Sequence, residues 1–197
     1  MSEELISKIK KTFEESIVTK QAVLDGELYQ VLVSAGDEIT NSIIQGGKLM
    51  ICGNGGSAAD AQHMAAELMG GLRDHNRPAI GSIALTTDSS FLTAWSNDID
   101  FESTFSRQIE GLGKSGDVLI AISTSGNSSN VISAISTAKK MGILVIILTG
   151  DSGGKMIKSK ADVIINIPSD DTQRIQEGHL LVEHILCESV EEAIMRK

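Results

Sequence analysis

His63 and Glu67 stand four residues apart in the alanine-rich segment 58–68, whose helix propensity puts both on one helix face. An imidazole and a carboxylate so placed are an acid/base pair or two ligands of one cation. Just upstream lies Cys52-Gly53-Asn54-Gly55-Gly56-Ser57, after the short apolar run 48–52. Its glycines let the backbone come close to a ligand, and the free N–H groups of the following helix favour an anion in the turn. A phosphate cradle and the His/Glu pair thus lie within about ten ångströms, at ~1.5 Å rise per residue. No Gly-Lys-Ser/Thr closes the turn as in a P-loop, and Ala58 follows Gly53 and Gly55 without the third glycine of a dinucleotide fingerprint. A small phosphorylated ligand is therefore expected rather than a nucleotide.

A second strand-to-helix turn, Ser123-Thr124-Ser125-Gly126-Asn127-Ser128-Ser129-Asn130, follows the apolar run 117–122. Its hydroxyls and amides suit phosphate oxygens without any cation, and a second turn of this kind favours a ligand over a loop that merely caps a helix. The segment 172–195 reads as one long helix on which Gln176, His179, Glu183 and His184 fall within about a third of the circumference.

The elements that must position these residues are short. Apolar runs at 48–52, 80–85, 117–122, 143–148 and 161–168 read as strands, the last halted by Pro168. Helical segments separate them, at 56–68, 88–95 and 101–111, and from 129 to 140, with a polar break at Ser96-Asn97-Asp98. Alternating strands and helices imply a parallel sheet with right-handed crossovers, and ligands of such sheets gather at the carboxyl ends of the strands, where both turns lie. Upstream, Leu5, Ile6, Ile9, Phe13, Ile17, Val23, Leu24, Leu28, Val31 and Leu32 fit one or two amphipathic helices whose apolar face is suited to packing against another subunit. A further helix is expected over 34–45.

With 197 residues the chain suits one α/β domain. Its net charge of −9 argues against a general nucleic-acid surface, so no nucleic-acid partner is expected. Two cysteines, Cys52 and Cys187, imply no disulfide framework. No apolar run is long enough to span a bilayer, and Met1-Ser2-Glu3-Glu4-Leu5 lacks the basic start of a signal peptide, so a cytoplasmic location without membrane contact is expected.

Taken together, Cys52-Gly53-Asn54-Gly55-Gly56-Ser57, Ser123-Thr124-Ser125-Gly126-Asn127-Ser128 and Arg174-Ile175-Gln176-Glu177 resemble the sugar isomerase (SIS) family, over about residues 30–190 in order and spacing. The resemblance implies an α/β three-layer sandwich with a five-stranded parallel sheet flanked by helices. In these terms residues 1–33 form an N-terminal helical segment for oligomerisation and 34–197 the SIS domain, within one structural unit. It further implies a homotetramer that converts sedoheptulose 7-phosphate to D-glycero-D-manno-heptose 7-phosphate through a cis-enediol, the first step toward the heptose of bacterial lipopolysaccharide or capsule.

Carried over by position, the substrate-binding residues are Asn54, Gly55, Gly56, Ser57, Glu67, Asn97, Asp98, Ser123, Thr124, Ser125, Ser128, Asp171 and Gln176. The resemblance assigns one Zn²⁺ per subunit to His63, Glu67, Gln176 and His184, and the acid/base roles to Glu67 and His184. The resemblance also implies a basic residue where this chain has Gly71; Arg73 stands two residues on, and whether it reaches the same phosphate is left open by the sequence. Two other readings share the fold: a non-catalytic tetramer that binds the replication initiator, and an isomerase of a different sugar phosphate. The initiator-binding relative lacks the carboxylate and imidazole that Glu67 and His184 supply here.

Overall fold

The computed structural model describes residues 2–196; the outer ends of the two expected segments, Met1 and Lys197, lie outside it. Among the described residues five strands form one sheet: β1 (Leu49–Cys52), β2 (Ser82–Ala84), β3 (Val118–Ile122), β4 (Leu144–Gly150) and β5 (Val163–Ile167). All neighbours pair in parallel, in the order β2-β1-β3-β4-β5. The α-helices around it are α1 (Ser2–Asp25), α2 (Leu28–Ile44), α3 (Gly56–Gly70), α4 (Ser89–Asp98), α5 (Thr104–Leu112), α6 (Ser129–Lys140) and α7 (Thr172–Met195).

The strands are apolar at nearly every position because both faces are covered. Leu49, Ile51, Val118, Ile120 and Ile122 face a core shared with residues of α2, α3 and α7. Met50, Cys52, Leu119 and Ala121 point the other way, into a core filled by Phe105 and Ile109 of α5 and Val131, Ala134, Ile135 and Ala138 of α6. The expected three-layer sandwich is the observed one. From β1 the chain moves outward to β2 on one side, while β3, β4 and β5 extend on the other, so the strand order switches between β1 and β3. A crevice outside the carboxyl ends of the strands opens at such a point, and the two ligand-type turns are the loops that leave β1 and β3.

Several element ends shift by a few residues, and two expected breaks between helices are not observed. The N-terminal break comes at Gly26-Glu27, and α2 runs unbroken through residues 33 and 34. Leu32, Ala35 and Ile39 form one buried stripe across that point, so packing holds the helix continuous. The polar trio Ser96-Asn97-Asp98 is the last turn of α4 and not a break. Ser96 Oγ donates to the Leu92 carbonyl at 2.6 Å, which satisfies a polar side chain within the helix. The helix α1 buries only Thr19 and leaves Ile6, Ile9, Phe13, Ile17 and Leu24 exposed. Among the described residues no helix is long and apolar enough to cross a membrane.

Candidate active site

The loop after β1 is tied to the first turn of α6, which follows the β3 loop, by a reciprocal amide pair. Asn54 Nδ2 donates to Asn130 Oδ1 at 2.8 Å, and Asn130 Nδ2 donates back to Asn54 Oδ1 at 2.9 Å. Gly55, at φ 58°, is the N-cap residue of α3, and Ser57 is buried in its first turn. In the second loop the Ser123 and Ser128 hydroxyls pair at 3.0 Å. The β4 exit supports that loop from behind: Gly150 N–H donates to the Thr124 carbonyl at 3.1 Å and Met156 N–H to the Gly126 carbonyl at 2.9 Å. Ser125 Oγ accepts the Asn127 N–H at 3.2 Å, which closes the turn. The two loops are thus a braced pair at the carboxyl ends of β1 and β3, carrying hydroxyls and helix N-termini of the kind that suit an anion.

Beside them, α3 and α7 bring together residues 121 positions apart. His63 Nε2 and His184 Nε2 are 2.8 Å apart, one donating to the other, with the rings edge-on at 74°. Glu67 Oε1 lies 3.7 Å from His63 Nε2 on the same face of α3. Gln176, two turns upstream of His184 on α7, donates its Nε2 to Asp60 Oδ1 at 3.4 Å. Gly56 makes room for this: a Cβ there would run into the Gln176 amide. Gly56→Ala is therefore expected to keep or slightly raise the melting temperature, since Ala is the better helix former by roughly 0.5–1 kcal/mol. The same change is expected to lower turnover about 10- to 100-fold by displacing Gln176, as small misplacements of site groups do. Circular dichroism melting alongside steady-state kinetics checks both.

Residues 12–150 match the SIS domain family. The chain is 47% identical over 194 residues to the phosphoheptose isomerase of Dechloromonas aromatica, covering 98% of each chain. It is also 47% identical over 191 residues to phosphoheptose isomerase 1 of Campylobacter jejuni, covering 96% of this chain and all of that one. The chain belongs to the phosphoheptose isomerase family. The solved phosphoheptose isomerase of Neisseria gonorrhoeae superposes with a TM-score of 0.90 at 43% identity, covering 95% of this chain and 99% of that one. That of Francisella tularensis gives 0.91 at 35% identity, covering 95% and 98%.

Against this phosphoheptose isomerase framework, the expected site residues divide. Asn54, Gly55, Gly56, Ser57, Ser123, Thr124, Ser125 and Ser128 sit on the two braced loops, and His63, Glu67, Gln176 and His184 on the adjacent faces of α3 and α7. Asn97 and Asp98 bond to each other at 2.8 Å on the exposed end of α4, and neither hydrogen-bonds to the α3–α7 centre. Asp171 serves as the N-cap of α7, accepting from Gln173 N–H at 2.8 Å and Arg174 N–H at 3.1 Å. Those backbone bonds hold its carboxyl below the ordinary range. Gly71 has φ 108°, a conformation a side chain rarely adopts, so the expected basic side chain has no simple place at this position. Arg73 is exposed and engaged with Glu188 at 2.9 Å.

The donors of the centre suit a zinc ion in kind: two imidazoles, a carboxylate and an amide oxygen. The imidazole nitrogens stand at hydrogen-bonding distance, 2.8 Å. Among the described residues no group of three His, Cys, Asp or Glu is placed so that it could hold a metal ion.

Arg77 and Glu191 carry no mark in the sequence. The buried pair Arg77–Glu191, at 2.7 Å, joins the loop after α3 to the end of α7. Arg77 Nη2 also donates to the Glu67 carbonyl at 2.8 Å, so the pair holds the backbone that carries Glu67. Glu191 additionally gathers the N–H groups of Leu72, Arg73 and Asp74 at 2.8–2.9 Å. Desolvation works against its charge, but Arg77 and those N–H groups outweigh it and hold the carboxyl down at about 2. His179 is a core residue: its Nε2–H donates to the Thr149 carbonyl at 3.1 Å, and burial pushes it down to about 4, leaving it neutral at pH 7. Burial, with Asp60 nearby, pushes the fully buried Glu183 up to about 8. Asp60 is also raised by burial, and the Gln176 amide and His63 pull it back.

Proposed function

We propose that this chain interconverts D-sedoheptulose 7-phosphate and D-glycero-D-manno-heptose 7-phosphate, with Glu67 and His184 as its acid/base pair. The observation that carries the assignment is the meeting of Glu67, His63 and His184 beside two braced, hydroxyl-rich loops at the sheet's switch point. The loops after β1 and β3 hold the phosphate and the sugar chain. Glu67 removes the proton from C1 of the ketose and returns it to C2, by way of a cis-enediol. His184 moves a proton between the C2 and C1 oxygens, so that the carbonyl closes at C1 as the hydroxyl forms at C2. Asn54 and Ser57 are the substrate-binding side chains of the first of these loops. The residues named for zinc, His63, Glu67, Gln176 and His184, would hold one ion per subunit. When bound, such an ion supplies positive charge opposite the enediolate oxygens.

The presence of both a carboxylate and an imidazole at the centre speaks for catalysis over a purely protein-binding role. The product serves as precursor of ADP- or GDP-heptose for lipopolysaccharide core or capsule, and the reaction is cytoplasmic. The exposed apolar stripe Ile6, Ile9, Phe13, Ile17 and Leu24 of α1 supports assembly of four copies through the N-terminal helices.

His184→Gln keeps shape and loses the titratable nitrogen. It is expected to reduce turnover of sedoheptulose 7-phosphate by about 10²–10⁴-fold. Aldose formation by NMR and metal content on the same samples read the outcome. A folded, zinc-loaded wild type without isomerase activity on this substrate would sink the assignment.

A further inference from the structure

Asp60 is a buried carboxylate with a single side-chain partner. It is 7% exposed, one oxygen accepts from Gln176 Nε2 at 3.4 Å, and the other has no hydrogen-bond partner. A carboxylate held this way costs stability that an apolar side chain would not, so packing does not account for it. Its position is that of a site residue: Asp60, His63 and Glu67 fall within roughly 60° of one another around α3, at about 100° per residue. From the other side Gln176 lies directly over Gly56, whose missing side chain leaves the space for the amide. Apart from the bond to Asp60, the Gln176 side chain makes no hydrogen bond among the described residues, so Oε1 is untied.

We infer that Asp60 is a positioning residue that sets which end of the Gln176 amide faces the site. An ionised carboxylate only accepts hydrogen bonds, so it takes the NH₂ group and leaves the carbonyl oxygen as the exposed end. An amide turned the other way would present N–H donors, which cannot hold a cation. Asp60 thereby selects an oxygen donor at a position where the amide is by itself indifferent. The inference rests on the assignment of Gln176 to the substrate and cation site.

The test is a reciprocal exchange at the two positions, on full-length protein: wild type, Asp60→Asn, Gln176→Ala, Gln176→Glu, and the double variant Asp60→Asn with Gln176→Glu. Binding of Co²⁺ alone is followed by its visible absorption, with KM and kcat for sedoheptulose 7-phosphate and thermal melting on the same preparations. Asp60→Asn lets the amide turn either way, and its Co²⁺ affinity is expected to fall about 10- to 100-fold, as loss of a group that orients a ligand does. Gln176→Glu sets two carboxylates against each other and is expected to bind Co²⁺ more weakly still. In the double variant the amide now at position 60 donates to the carboxylate now at position 176. One carboxylate oxygen is left free, and affinity is expected to recover at least tenfold over Gln176→Glu alone. A structural role for Asp60 would predict no such recovery. Should Asp60→Asn melt far below wild type, Asp60→Ser, which fits the same space without a carboxylate, reads the same quantity. A double variant no better than Gln176→Glu, or an Asp60→Asn protein with wild-type Co²⁺ affinity, overturns the inference while Gln176 keeps its place. Wild-type binding and kinetics in Gln176→Ala overturn the assignment of Gln176, and the inference with it.

Discussion

Glu67→Gln is expected to lower kcat for isomerisation of sedoheptulose 7-phosphate by about 10²–10⁴-fold, with KM changed far less. The side chain keeps its size and its place on α3, where Arg77 holds the Glu67 carbonyl at 2.8 Å and Gly71 N–H donates to it at 2.9 Å. What is lost is the only group in the substitution that can carry a proton away from carbon. The decisive readout is exchange of the substrate's C1 hydrogen with deuterated solvent, followed by NMR. The wild type should exchange at a rate comparable to turnover, and the variant should lose exchange and turnover together. Exchange that persists in Glu67→Gln would move the carbon base to another residue and leave Glu67 the role of ligand or orienting group. His184→Gln, by contrast, should slow turnover while leaving some C1 exchange, because its proposed proton moves between oxygens.

The Arg77–Glu191 pair should show the largest stability effect. Both side chains are almost wholly buried, at 1% and 4% exposure, so removing the carboxylate strands a guanidinium in the interior. Glu191→Ala is expected to cost about 3–5 kcal/mol in urea unfolding at neutral pH and fixed protein concentration. The same carboxyl makes a pH prediction. Its ordinary pKa of 4.5 falls to about 2 in the folded chain. A depressed carboxyl contributes its stability fully above the unfolded value and loses it as pH falls through the folded one. The wild type should thus lose on the order of 3 kcal/mol between pH 4.5 and pH 2 from this group, a loss absent in Glu191→Gln. Equal acid sensitivity in the two proteins would remove the pair from this role. Replacing both partners, as Arg77→Met with Glu191→Leu, should recover part of the loss. It should not restore the loop 72–74, whose N–H groups also depend on the carboxylate. Because that loop follows Glu67, the double variant should turn over more slowly than its melting temperature suggests.

The sheet was legible in the sequence because a parallel strand buried on both faces has to be apolar throughout, and runs such as 117–122 and 143–148 are close to that. Both ligand loops were legible too, since their glycines, hydroxyls and amides sit together in the chain at a strand-to-helix turn. His63 and Glu67 form a local pair, four apart on one helix, so spacing alone put them on one face. The α2 boundary and the end of α4 were not legible. Ser34 does not break a helix that carries Leu32, Ala35 and Ile39 across it, and Ser96 bonds back to its own turn, so tertiary packing and a local hydrogen bond overruled composition.

What only the tertiary structure decided is which distant groups meet. Nothing in the spacing of residues 63 and 184 says that their ring nitrogens come within 2.8 Å, or that Asn54 pairs with Asn130 in the first turn of α6. Nor does it say that Arg77 and Glu191, 114 residues apart, share a buried bond, or that Asp60 bonds Gln176. These contacts depend on how α3 and α7 lie over the sheet and on where its strand order switches. The residues that could do the chemistry and the elements that carry them are written in local pattern. Their meeting, and the partners that orient them, come from long-range packing, for which a linear sequence of side-chain types holds no distance.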